Sequence, residues 1–119
     1  MPLVAVDGCT ITDAAQGECT ILSGLSTATK IDGKAVCLAG LKVQVANGSV
    51  PGGKQMEPVT VTLNARLIQG VKFEGKAPLA LGEVSSGSET ANYQVGQTVV
   101  NMPVVLTITD AGQSDVQGI

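Results

Sequence analysis

A chain of 119 residues with 44% hydrophobic but only 2% aromatic side chains must build any core from Val, Ile, Leu and Ala, and that length predicts a single domain over residues 1–119. The formal net charge is −3, no basic cluster occurs, and no apolar run approaches the ~20 residues of a membrane span, which argues against nucleic acid and against stable membrane insertion. The absence of His and Trp removes the usual general base at neutral pH and the commonest metal ligand, so an enzyme is not expected.

The opening Met1-Pro2-Leu3-Val4-Ala5-Val6 has neither a positive n-region nor an apolar h-region, which predicts synthesis in the cytoplasm without a signal peptide. Fifteen Gly and five Pro then cut the chain into short segments rich in Val, Ile and Thr, an all-β pattern. Alternation predicts strands at Thr10–Thr12, Leu41–Val45, Val59–Leu63 and Val104–Thr109, with a short turn at Asp13–Gln16. Asn47–Gly53 and Ser85–Thr90 read as loops. Charged residues make up 14% of the chain against the roughly 25% of typical soluble domains, so the surface is largely Thr, Ser, Asn, Gln and Gly and suits being covered.

An internal repeat is the sharpest signal. Lys30-Ile31-Asp32-Gly33-Lys34-Ala35-Val36-Cys37-Leu38-Ala39-Gly40 aligns without gaps on Lys72-Phe73-Glu74-Gly75-Lys76-Ala77-Pro78-Leu79-Ala80-Leu81-Gly82. Asp32-Gly33 and Glu74-Gly75 between apolar positions are tight-hairpin signals, because Gly supplies the positive φ such turns need. Gly33, Gly40, Gly75 and Gly82 are therefore backbone-geometry positions. Thr20-Ile21 pairs weakly with Thr62-Leu63 at the same offset, giving repeat copies of about 19–41 and 61–84, and Thr10–Gln16 echoes Thr107–Gln113. The expectation is two hairpins, with a third element from the joined termini, in a compact pseudo-symmetric cone or pyramid. Two unrelated hairpins sharing turn chemistry are the plainer alternative.

These segments resemble the PAAR-repeat proteins, conical tips that cap the trimeric β-helical spike of contractile injection machines. Family repeats follow a turn-Gly-Lys with Pro-Ala-Ala-Arg, one further residue, Gly and Asp. Here Gly33-Lys34 is followed by Ala35-Val36-Cys37-Leu38, Ala39, Gly40 and Leu41, and Gly75-Lys76 by Ala77-Pro78-Leu79-Ala80, Leu81, Gly82 and Glu83. Upstream, the stretch from Gly17 to Thr29 is similar to the strand and Ser-Gly-Ser segment before the family's first repeat, so the likeness covers residues 8–41 and 60–84. Both copies lack the repeat Arg, Glu83 stands in place of Asp, and the family's metal-binding His is missing.

Cys9, Cys19 and Cys37 are candidate ligands for one zinc or iron ion, with Asp7 or Asp13 as a fourth, although their spacing matches no Cys-x-x-Cys knuckle. The alternatives are small buried hydrophobes, or a Cys9–Cys19 disulfide in an oxidising exterior. Asp32 and Glu74, beside Lys30, Lys34, Lys72 and Lys76, can mark a partner site or simply solvate a turn. Ser23, Ser26, Ser85, Ser86 and Ser88 have no base partner, so no catalytic residue is assigned. The resemblance implies a non-enzymatic tip, made in the cytoplasm and assembled into a phage tail, type VI secretion or extracellular injection particle. It would bind as one copy per spike trimer, help pierce the target envelope, and carry effector or cargo proteins. The rival expectation is a free-standing β-sandwich binding module, such as a phage decoration or receptor-binding domain, with Asn47–Gly53 and Ser85–Thr90 as binding loops.

Overall fold

The computed structural model describes residues 2–87 and 89–117, and every regular element in it is a strand. In chain order these are β1 (Thr10–Asp13), β2 (Glu18–Ile31), β3 (Lys34–Ala46), β4 (Ser49–Val50), β5 (Gly53–Gln55), β6 (Val59–Leu63), β7 (Thr90–Val95), β8 (Thr98–Pro103) and β9 (Leu106–Asp110). They form three antiparallel sheets, ordered β1-β9, β2-β3-β6 and β4-β5-β7-β8. The body is elongated, 48 × 24 × 22 Å.

The expected strands at 10–12, 41–45, 59–63 and 104–109 all fall on observed ones, with Val104 and Val105 left outside β9. Asp13–Gln16 is a turn, closed by the Gln16 N–H donating to the Asp13 carbonyl at 2.8 Å. The hairpins are not uniformly short, however. β2 and β3 run 14 and 13 residues; alternating Leu41, Val43 and Val45 bury one face of the second part of β3, where β6 pairs along its other edge. Asn47–Gly53 is also not a loop: Ser49–Val50 and Gly53–Gln55 pair as a small hairpin that extends along β7. The Gln55 amide ties this sheet to β3, its Nε2 donating to the Val45 carbonyl at 2.9 Å and its Oε1 accepting from the Gly48 N–H at 3.0 Å.

Both repeat turns form where the sequence places them. Asp32 and Gly33 have φ of 54° and 78°, and Glu74 and Gly75 have 54° and 79°. Positive φ at both central residues is the type I′ arrangement that matches the twist of the flanking strands. The Phe73 and Lys76 backbones exchange two hydrogen bonds at 2.8 and 2.9 Å across the second turn. Residues 31–38 and 73–80 also share one burial sequence, an exposed turn followed by three buried positions.

A third segment, Val4–Gly8, joins these two. Val4, Ala5 and Val6 are buried, as are Val36, Cys37 and Leu38, and Pro78, Leu79 and Ala80. Gly8, Gly40 and Gly82, two residues beyond each trio, all have positive φ of 96°, 86° and 94°. The backbones close a ring: the Ala5 N–H donates to Leu79 O at 2.9 Å, the Leu79 N–H to Cys37 O at 2.8 Å, and the Cys37 N–H to Ala5 O at 2.9 Å. A second cycle lies beside it, from Asp7 N to Ala35 O, from Ala39 N to Ala77 O and from Leu81 N to Leu3 O, at 2.7, 2.8 and 2.9 Å. The two cycles run in opposite senses, so each segment donates to both neighbours and accepts from both, and no edge among the three is left open.

The period-2 alternation of these segments splits the core in two. Ala5, Cys37 and Leu79 point into the larger cluster, with Leu41, Val43, Val61, Leu63, Leu106 and Ile108. Val4, Val6, Val36, Leu38 and Ala80 point the other way, around Ile68, and are covered by Ile31, Val71 and Phe73 from the turn region. Hydrophobic burial on both faces of the ring fixes its register, since a one-residue slip would exchange the two sets.

Candidate functional site

The turn end of the molecule is built from equivalent positions in the three ring segments. Both turns precede their buried trio by the same number of residues. Before the third trio stand the chain ends, bridged at Leu3 and Gln117 as Ala35 is to Lys30. Ile31 and Phe73, which flank the two turns, pack against the Val4, Val36 and Leu38 side of the ring, so both turns lie on that side. Lys30, Asp32, Lys34, Lys72, Glu74 and Lys76 are all exposed there.

Glu74 is more than a solvating charge. Its Oε1 accepts from the Thr27 N–H at 3.2 Å, the Thr27 hydroxyl at 3.0 Å and the Ala28 N–H at 3.0 Å. The Thr27 hydroxyl, followed by the neighbouring backbone donors, holds its carboxyl below the usual glutamate range. The segment it grips is a wide irregularity of β2, between the Leu25–Cys37 and Lys30–Ala35 pairs, where buried Ser26 accepts from the Thr29 N–H at 2.8 Å. Lys34 makes the corresponding reach from the first turn, its Nζ donating to the Gly112 carbonyl at 3.2 Å. The turn charges therefore lock neighbouring elements together and leave Lys30, Asp32, Lys72 and Lys76 at the surface.

The cysteines lie on the opposite, larger-core side, arranged two plus one. A turn closed by the Cys9 N–H donating to Val6 O at 2.9 Å, with Gly8 at φ 96°, folds Cys9 back over the ring against Cys37. The Cys37 thiol, donating toward the Cys9 sulfur, lowers the Cys9 pKa, while that same contact and burial push Cys37 up. Burial, reinforced by Asp13, raises Cys19 to about 11. Cys9 and Cys19 line one open cavity of about 360 Å³ together with Asp7, Gly8, Ile11, Thr20 and Ile21. Among the described residues no group of three or more Cys, Asp or Glu closes around one point as metal ligands would. Asp13 instead turns its Oδ2 to the Gly17 N–H at 3.0 Å.

The serines divide by environment. Ser85 is buried, its Oγ accepting from the Leu106 N–H at 2.9 Å and donating to Val104 O at 3.3 Å, so it staples the 85–90 connection and is not available to a ligand. Ser23 and Ser86 are exposed, and Ser88 lies outside the described residues. Two features are added by the structure, the Val4–Gly8 segment and the burial of Glu83. The Val4–Gly8 segment has a legible signal, an apolar trio, one residue and Gly as in the other two copies. Glu83 is 2% exposed. Its Oε1 accepts from the Arg66 N–H at 2.9 Å while its Oε2 has no hydrogen-bond partner among the described residues, and nothing in the composition foretells it. No family model, curated protein or solved structure matches the chain.

Proposed function

We propose that this chain is a PAAR-like, non-enzymatic tip that caps the trimeric β-helical spike of a contractile injection machine. The observation that supports the reading is the cyclic hydrogen bonding of residues 4–8, 36–40 and 78–82, a closed ring of three segments within one chain. A monomer of that kind meets a threefold partner with three similar contacts, where an arbitrary domain would offer one. The sheet β4-β5-β7-β8 is a single addition without a threefold counterpart. Docking ends the spike's open strands by main-chain hydrogen bonding, and the rigid body beyond it concentrates the force of contraction on the target envelope. The tip is made in the cytoplasm, joins the particle during assembly, and leaves room for effector or cargo proteins at its periphery.

The test is co-elution of the purified chain with a trimeric β-helical spike of a contractile injection machine. A complex should form, and it should persist when salt is raised, because an interface built on main-chain edges has few charges to screen. Loss of the complex in moderate salt, or no complex at all, would count against docking through strand edges. One observation favours the rival binding module: all six residues of β8 are exposed at the edge of the four-stranded sheet, including Val99, Val100 and Met102. A partner bound through that edge with the spike ignored would support it.

A further inference from the structure

The Cys9–Cys37 pair lies with the larger core cluster, apart from the turn residues Ile31 and Phe73. Both residues sit where the ring segments meet: Cys37 supplies a ring hydrogen bond to Ala5, and the Val6–Cys9 turn brings Cys9 over that junction. Cys37 is fully buried, whereas Cys9 is only partly covered and faces the 360 Å³ cavity. One thiol is thus reachable from solvent and the thiol it contacts is buried. That is the division of labour between an attacking and a resolving thiol.

We propose that Cys9 and Cys37 are a redox-active dithiol, Cys9 accepting a low-molecular-weight disulfide in the cavity and Cys37 resolving the adduct into an intramolecular disulfide. In the first step Cys9 loses its proton and its sulfur attacks one sulfur of the reagent RSSR. A Cys9–SR bond forms, the reagent S–S bond breaks, and the departing RS⁻ is protonated to RSH. In the second step deprotonated Cys37 attacks the Cys9 sulfur, the Cys9–Cys37 bond forms, and a second RS⁻ leaves and is protonated. Two protein thiols are oxidised and RSSR is reduced to two RSH. Cys19 lines the same cavity but is a poor competitor, since a thiol held at about 11 carries little thiolate at neutral pH. The product ties the N-terminal ring segment covalently to the first hairpin, converting one junction of a hydrogen-bonded ring into a bond that mechanical load does not open.

The full-length reduced protein, incubated with oxidised glutathione at neutral pH, should fall from three free thiols to one, with the mass losing two hydrogens and no glutathione retained. Cleavage after Glu18 and after Lys30 puts Cys9, Cys19 and Cys37 on three separate peptides, and peptide mapping should join the Cys9 peptide to the Cys37 peptide. Cys37→Ala should stall at one glutathione on Cys9, while Cys19→Ser should still form the bridge. Three free thiols persisting while free cysteine in the same tube is oxidised, a stable glutathione adduct on the unmodified protein, or a Cys9–Cys19 link would each overturn the proposal. The peptide map of the unmodified protein decides even if Cys37→Ala does not fold.

Discussion

Adding one methyl group at Gly33 and, separately, at Gly24 separates two reasons a chain needs glycine. At Gly33, φ is +78° and a built Cβ meets nothing within 4 Å, so Gly33→Ala carries only the cost of left-handed backbone, about 1–2 kcal/mol. At Gly24, φ is +102° and the Cβ would stand 2.6 Å from the Leu41 Cα. That contact is backbone, which no rotamer change relieves. To a similar conformational cost Gly24→Ala therefore adds about 1–3 kcal/mol of overpacking and pushes β2 off β3 beside the ring. Urea unfolding followed by far-ultraviolet circular dichroism, with the m-value checked for constancy, reads both losses. Equal losses, or a Gly33→Ala protein as stable as the parent, would refute the assignment of the type I′ turn and of the close β2–β3 approach.

Three further outcomes follow from side chains. Glu74 has a lowered folded pKa, so its contribution is present above the unfolded value near 4.5 and disappears as pH falls through the folded one; the parent and Glu74→Gln should therefore differ in melting temperature at pH 7 and converge in that acid window. Cys19 has the opposite sign: its pKa is raised from 9.0 to about 11, so the stability it gives is complete below pH 9 and lost as pH rises toward 11, and Cys19→Ser should flatten the alkaline limb of a pH–melting curve. Ser85→Ala leaves the buried Leu106 N–H without its acceptor and should cost about 1–3 kcal/mol in chemical denaturation, whereas Ser23→Ala, at an exposed position, should be nearly neutral.

What the sequence discloses and what it hides divide along local and non-local lines. The turns at Asp32-Gly33 and Glu74-Gly75 and the strands at 41–45 and 59–63 are legible because turn chemistry and period-2 alternation are properties of a few adjacent residues. β8 is not, because Thr98–Pro103 is exposed on both faces and so has no alternation to read. β4 and β5 are hidden by their Gly and Pro content, which says turn while pairing to β7 says strand. Val4–Gly8 owes its ring position to partners at 35–37 and 79–80, and only comparison with the other two segments reveals it. At the cysteines, residue type marks candidates but spacing does not tell a ligand trio from a contacting pair with a third thiol across a cavity. That distinction is set by a four-residue turn at Gly8. Glu74 reads as a surface charge, since its three hydrogen bonds come from a bulge that long-range pairing creates.

The proposed capping of a trimer by the closed ring of residues 4–8, 36–40 and 78–82 is measured most directly by native mass spectrometry of the chain mixed with a trimeric spike. One chain per three spike chains is the predicted mass, with Gly40→Val and Gly82→Val, which place β-branched residues at ring positions of positive φ, reducing occupancy without creating any other stoichiometry. Three chains per trimer would mean that each spike chain binds its own copy and that the internal ring plays no part in matching, which contradicts the capping account.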